Sequence, residues 1–181
     1  MRPEVAVFIA TSLDGYIARS DGSIDWLDAA NESVPEGEDC GYAAFFETVD
    51  TLVMGRLSFE TVLQFDPWPY AGTPVVVLSS RGVTIPDRLK PTVTVSSESP
   101  AELLERLFRE GRRRVYLDGG VTIQRFLAAG LVDEITITTI PILLGEGRPL
   151  FGTMSVSIPL KHLGTTAYDF GFVQSRYAVT E

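Results

Sequence analysis

Short apolar runs recur along the chain, and most are followed by glycine, serine or aspartate and then by a stretch of helical spacing. Val5-Ala6-Val7-Phe8-Ile9-Ala10 is continuously apolar and rich in β-formers, and Asp14-Gly15 follows it. Residues 51–54, 74–78 and 115–117 repeat the theme, and Thr92-Val93-Thr94-Val95 reads as a further strand in the series. Runs of this length with no polar alternation predict strands covered on both faces, as in a parallel sheet. Between them lie helical spacings. Leu57, Val62 and Leu63 share a face over 56–63, and Phe45, Phe46 and Val49 point inward from a short helix over 42–49. Leu103, Leu104, Leu107 and Phe108 form the buried face of the helix with the clearest start. Ser99 caps it, Pro100 takes its first position, Glu102 completes a capping box, and Gly111 ends it. Ile123, Phe126 and Leu127 face inward on a further helix that stops at Gly130.

The pattern changes in the last third. Residues 134–140 alternate as a strand, and 143–150 read as a glycine-rich loop. Residues 160–168 and 172–179 read as strands with no helix between them, which predicts an antiparallel pair. Residues 20–41 are polar and turn-rich apart from Ile24, Trp26 and Leu27. They predict a long loop with a short helical piece, and loops of that length are commonly functional or mobile. Strand–helix alternation followed by two adjacent strands predicts one mixed, mostly parallel sheet with helices on both faces. No repeat or linker interrupts it, so residues 1–181 are expected to form a single domain.

Composition narrows the chemistry. The chain has 181 residues, 45% of them apolar and 22% charged, with a formal charge of −9. An acidic chain without a basic stripe has no general attraction for nucleic acid. Its one basic run, Arg112-Arg113-Arg114, reads as a solvated helix-to-strand corner. Cys40 is the only cysteine and His162 the only histidine, so neither a disulfide nor a zinc-type ligand set is expected. No run reaches the ~18 apolar residues of a spanning helix. A soluble, cytoplasmic protein without a metal is the expectation.

In open α/β sheets ligands bind beyond the carboxyl ends of the parallel strands, and three such ends suit phosphate. Leu117-Asp118-Gly119-Gly120-Val121-Thr122 joins a strand to a helix through two glycines. That lets backbone N–H groups and the helix N-terminus meet an anion, although a tight turn would need the same glycines. Met54-Gly55-Arg56-Leu57-Ser58 puts a cation in a first helical turn, where it opposes the helix dipole by roughly 0.3–1 kcal/mol unless an anion intervenes. Pairing of Arg56 with Glu60 is the alternative. Leu78-Ser79-Ser80-Arg81 offers hydroxyls and a guanidinium just past a strand, good donors for a phosphate monoester, where an acid would instead prefer a free ribose. An ordinary polar turn is again the alternative. No G-x-G-x-x-G follows the first strand and no P-loop sequence occurs.

These strand ends, in this order, are similar to those of the dihydrofolate reductase fold. More closely, the chain resembles the C-terminal reductase domain of the bifunctional deaminase/reductase of bacterial riboflavin biosynthesis and its stand-alone relatives. The resemblance rests on Ser12-Leu13-Asp14-Gly15-Tyr16-Ile17-Ala18, Met54-Gly55-Arg56-Leu57-Ser58-Phe59-Glu60, Asp118-Gly119-Gly120, and Ile140-Pro141-Ile142-Leu143-Leu144-Gly145-Glu146-Gly147-Arg148-Pro149-Leu150-Phe151. It implies an α/β, dihydrofolate reductase-like three-layer α/β/α fold, with a mixed, mostly parallel eight-stranded sheet and a C-terminal antiparallel hairpin.

The resemblance also implies an NADPH-dependent reductase. Gly55, Arg56 and Ser58 would face the cofactor phosphates. Leu78, Ser79, Ser80 and Arg81 would surround the 2′-phosphate. Gly119, Gly120, Val121 and Thr122 would hold the diphosphate, and Ile9, Ala10, Ile17 and Ala18 would line the nicotinamide. Dihydrofolate reductases carry a pterin-binding carboxylate on the first helix, and no carboxylate of this chain aligns with it. Asp14 is the acid nearest the expected nicotinamide and is taken as the catalytic candidate, with an Asx turn before Gly15 as its alternative role. Trp26, Asp28, Phe45 and Phe46 are expected on the substrate side. The leading function is hydride transfer to a pterin- or aminopyrimidine-like heterocycle. The competing one is a non-catalytic NADP(H)-binding module that acts as a sensor or assembly partner. A homodimer is expected from the resemblance and from the apolar strand 135–142.

Overall fold

The computed structural model describes residues 1–180. Its strands are β1 (Glu4–Ser12), β2 (Tyr16–Ala18), β3 (Thr51–Gly55), β4 (Val75–Leu78), β5 (Val93–Ser96), β6 (Arg114–Asp118), β7 (Glu134–Ile140), β8 (Arg148–Pro149), β9 (Leu160–Ala167) and β10 (Val173–Val179). Its α-helices are α1 (Asp25–Asn31), α2 (Tyr42–Phe46), α3 (Arg56–Val62), α4 (Pro100–Arg109) and α5 (Gly120–Ala128). Eight strands form one sheet in the order β5-β4-β3-β6-β1-β7-β10-β9. The first six of these are parallel, and β10 and β9 close the sheet as an antiparallel pair. This is the three-layer dihydrofolate reductase-like arrangement.

The alternation of side chains along each strand builds two cores. On one face Val5, Val7, Val53, Val115 and Leu117 meet Leu103, Leu104 and Leu107 of α4 and Ile123, Phe126 and Leu127 of α5. On the other, Leu52, Met54, Val75, Val77 and Tyr116 meet Phe59 and Val62 of α3, with Phe45 and Phe46 of α2 packed against them. Strands covered on both faces explain why the runs are continuously apolar. A smaller third cluster gathers Trp26, Cys40, Ile140 and Phe172 and pins α1 against the end of β7. The α4 start is as the sequence predicts, with Ser99 accepting from the Glu102 N–H and the Glu102 carboxylate accepting from the Ser99 N–H.

Several local expectations change. Leu57 does not face inward; it is exposed and Phe59 takes the core position, because Leu57 opens onto the cleft described below. Residues 16–18 and 148–149 pair as a small antiparallel sheet, Tyr16 with Pro149 and Ala18 with Arg148. A pairing this short and this distant in sequence leaves no periodic signal. The β7 strand is hydrogen-bonded on both sides, to β1 and β10, so its edge is not available for dimer pairing, and the open edge on that side is β9. Among the described residues no helix is long and apolar enough to cross a membrane.

Leu104 is 1% exposed in the α4 core, so Leu104→Ala should lower unfolding free energy by about 2–5 kcal/mol. Ser99→Ala should cost about 1 kcal/mol through the lost cap. Urea unfolding monitored by circular dichroism measures both, and a loss of under about 1 kcal/mol at Leu104 would contradict this packing.

Candidate functional site

The parallel strands end along one side of the sheet, and a cleft of about 1130 Å³ runs across those ends. All three strand-end groups open into it: Gly55, Arg56 and Ser58 after β3, Leu78, Ser79, Ser80 and Arg81 around the end of β4, and Gly119, Gly120, Val121 and Thr122 after β6. Ile9, Ala10, Ile17 and Ala18 line the same cleft. The structure therefore brings together residues from five stretches of sequence that share no local pattern.

Two glycines let these ends approach one another. Gly119 has a φ of 92°, in the left-handed region, and a Cβ there would collide with Ser58 Oγ. A Cβ on Gly55 would lie 2.9 Å from Thr122 Oγ1. Any side chain at either position would separate the first turn of α3 from that of α5. Neither helix start is capped by a side chain. The first N–H groups of a helix have no partner within it, so both starts present bare donors and partial positive charge where the β3 and β6 ends cross.

The cations around this crossing differ in their commitments. Arg56 Nη1 lies 2.7 Å from Glu60 Oε1 while also lining the cleft, so the alternative pairing of the sequence reading does form. Arg81 forms no ion pair among the described residues. The turn that carries it is held by Ser79 Oγ, which donates to the Gly82 carbonyl at 3.0 Å and accepts from the Arg81 N–H at 3.3 Å. A shallower depression of about 510 Å³ adjoins the cleft, shares Arg56 and Arg81, and continues over Gly82, Val83 and Thr84.

The expected substrate-side residues are not in the cleft. Asp14 is exposed and accepts from Ser12 Oγ at 2.6 Å and from the Gly145 and Leu144 N–H groups at 2.8 and 3.1 Å. Those bonds, Ser12 foremost, hold its carboxyl below the usual range. It ties the β1–β2 turn to the loop before β8 instead of closing an Asx turn at Gly15, and it does not line the cleft. Trp26 is buried under α1 in the third cluster. Asp28 is exposed on α1 away from the cleft lining. Phe45 and Phe46 lie one layer behind the wall, with Phe45 stacked on Phe8 at 4.9 Å and Phe46 on Tyr42 at 5.7 Å between ring centroids. Their inward helical face points them into the core, so they support the wall without forming it.

The wall itself is Phe8, Tyr42, Tyr70 and Tyr116, with Asp118 among them. Asp118 Oδ1 accepts the Gly119 N–H at 2.9 Å. Burial pushes its carboxyl up to about 6, opposed only by that amide bond. Burial, and then the facing Asp118 charge, push Tyr42 up to about 12 and raise Tyr70 and Tyr116 as well. Tyr116 also donates to the Phe8 carbonyl at 2.9 Å. Asp118 stands in the Asp118-Gly119-Gly120 run, where a carboxylate at a strand end before two glycines was the available signal. The three tyrosines come from separate stretches and give none.

The profile of the RibD C-terminal domain matches residues 3–173. A putative riboflavin biosynthesis protein from Shewanella sp. PV-4 superposes with a TM-score of 0.91 at 40% identity, covering 100% of both chains. The diaminohydroxyphosphoribosylaminopyrimidine deaminase/5-amino-6-(5-phosphoribosylamino)uracil reductase of Thermotoga maritima superposes with a TM-score of 0.73 at 17% identity, over 99% of this chain and 57% of that one. Dihydrofolate reductase from Enterococcus faecalis, complexed with NADP(H) and RAB-propyl, gives 0.62 at 19% identity over 98% and 97%. The last two share the fold. With the profile spanning nearly the whole chain and a relative at 40% identity covering all of it, the chain belongs to the RibD C-terminal domain family.

Proposed function

We propose that this protein is a reductase that uses NADPH to transfer hydride to a C=N or C=O bond of a small, flat heterocycle. The observation that carries this reading is convergence: the bare starts of α3 and α5 and the unpaired Arg81 lie along one cleft that also contains a half-buried acid. The fold shared with an NADP(H) complex of dihydrofolate reductase supports it.

In this reading the Gly119, Gly120, Val121 and Thr122 backbone receives the diphosphate, with Gly55, Arg56 and Ser58 on its other side. Close approach of backbone N–H groups needs the glycines already required by the crossing of the two helix starts. Arg56 would share its guanidinium between Glu60 and the incoming anion. Ser79, Ser80 and Arg81 receive the 2′-phosphate, and the adjoining depression extends the seat at that end. Ile9, Ala10, Ile17 and Ala18 line the nicotinamide. The cofactor supplies the hydride, and the protein supplies position and a proton. Asp118 is the group placed for the proton. Its Oδ1 is occupied by the Gly119 N–H, which leaves Oδ2 to hold a proton and pass it to the reduced heterocycle. The raised phenols stay neutral at physiological pH, so they orient without competing as acids.

Arg81→Ala should weaken NADPH about tenfold or more and NADH little, as expected for loss of a charge-assisted bond of about 1.5–3 kcal/mol. Fluorescence titration of both nucleotides reads this, and equal losses would remove Arg81 from the 2′-phosphate. Turnover is tested by following NADPH consumption over a panel of dihydropterins and aminopyrimidines. Tight binding with no turnover on that panel would leave only a cofactor-binding module.

Asp118 makes a pH prediction. Because protonated Asp118 is the competent form, kcat/KM should fall as pH rises through about 6. Asp118→Asn should lower kcat by about a hundredfold or more and lack that limb. Stability moves the same way. A carboxyl raised from 3.8 to about 6 on folding binds its proton more tightly in the native state. Its contribution is therefore fully present below pH 3.8 and is lost as pH rises through about 6. Asp118→Asn should consequently be more stable than the parent at pH 8 by ~2 kcal/mol, with the gain vanishing toward pH 4. Urea midpoints at the two pH values measure it, and a pH-independent difference would contradict the assignment.

A further inference from the structure

Thr138 lines the cleft from β7 although it is only 5% exposed. It stands directly opposite Gln174 in the β7–β10 ladder. Gln174 Nε2 donates to Thr138 Oγ1 and to the Cys40 carbonyl, both at 2.9 Å. The Cys40 carbonyl can only accept, so the amide nitrogen of Gln174 must face it, and that same nitrogen reaches Thr138. Thr138 Oγ1 is therefore the acceptor in this contact, and its own proton points elsewhere. Among the described residues no group accepts that proton. A hydroxyl proton without a partner is costly to bury, and the open side of Thr138 is the cleft. Cys40 is itself packed with Trp26, Ile140 and Phe172, so the contact that orients Thr138 is held firmly.

The register of the strands places Thr138 relative to Asp118. β6, β1 and β7 are neighbours. Val7 is level with Leu117, and Ala10 is level with Thr138. Asp118 thus falls beside Phe8, two strand spacings from β7 and two residues short of Thr138 along the sheet. That is about 10 Å across and about 7 Å along, or about 12 Å apart. Val7, Leu117 and Ile137 point into the core under α4 and α5. Alternation therefore puts Phe8, Ala10, Asp118 and Thr138 together on the opposite face, where all four line the cleft. Strand side chains stand roughly perpendicular to the sheet, so the two polar groups keep about that separation. Two hydrogen bonds of about 2.8 Å leave about 6 Å between the atoms they hold, the width of a flat ring with an exocyclic oxygen or nitrogen.

We infer that Thr138 is a substrate-binding residue, whose hydroxyl donates to a carbonyl oxygen or ring nitrogen of the acceptor heterocycle on the edge away from Asp118. Gln174 is the positioning residue that fixes the hydroxyl in this donating orientation. The inference rests on the reductase reading and deepens it, because it requires a substrate with a hydrogen-bond acceptor on that edge.

The test uses two flat probes with ring carbonyls, 7,8-dihydropterin and 5,6-diaminouracil. Each is titrated into the full chain saturated with NADP⁺, after NADPH binding has been measured alone. Thr138→Val, which keeps the shape and removes the hydroxyl, should weaken the bound probe about tenfold and leave NADPH unchanged. Thr138→Ser, which keeps the hydroxyl, should stay within about threefold of the parent. Gln174→Met should weaken the probe by about threefold, and should add nothing to Thr138→Val, because no hydroxyl is then left to orient. A purely structural role would instead give additive losses and weaken NADPH as well. Unchanged probe binding in Thr138→Val, equal losses in Thr138→Val and Thr138→Ser, additive losses with Gln174→Met, or failure of the parent to bind either probe overturns the inference. Absence of NADPH binding by the parent overturns the reductase reading and this inference with it, whereas retained NADPH binding with indifference to Thr138→Val overturns the inference alone.

Discussion

The close crossing of the β3–α3 and β6–α5 corners is the constraint on which the rest depends. Gly119 at positive φ and Gly55 opposite Thr122 let two helix starts come together without side chains between them. Uncapped N–H groups at a helix start are met by water or by a ligand, so two such starts held adjacent and bare are suited to receive an anion. The packing cores supply the rigidity. Val53 and Leu117 face α4 and α5 while Leu52, Met54 and Tyr116 face α2 and α3, so the corners are held from both sides of the sheet.

Charge follows from the same geometry. The chain is acidic overall, yet Arg56, Arg81, Arg125 and Arg148 all line the cleft. Glu38, Asp39 and Asp118 line it too. Asp118 is desolvated enough to carry a carboxyl raised to about 6, and it is close enough to three tyrosines to raise them all.

The parallel strands are legible in the sequence because burial on both faces leaves runs such as 5–10 and 52–54 wholly apolar. The α4 helix is legible because Ser99, Pro100 and Glu102 are local signals with a direct mechanism. The three phosphate-type strand ends are legible for a similar reason, since the residue types and the strand-to-helix context lie side by side. What is not legible is set by contacts between distant residues. The β2–β8 pairing joins Tyr16 to Pro149, and nothing at either place announces it. Asp14 reads as a catalytic acid by sequence proximity, but its hydrogen bonds run to Leu144 and Gly145. Phe45 and Phe46 have the right character for a ring-binding wall, but helical direction turns them into the core. The wall falls instead to Tyr42, Tyr70 and Tyr116, which meet only in three dimensions.

The most direct test of the account is a crystal structure of the protein soaked with NADP⁺. The account predicts the diphosphate against the Gly119, Gly120, Val121 and Thr122 amides, the 2′-phosphate at Arg81, and the nicotinamide beside Ala10 and Ile17 with Asp118 within hydrogen-bond reach of the open space next to it. A nucleotide bound away from the α3–α5 crossing, or bound with its diphosphate at the β7 end of the cleft, would contradict it.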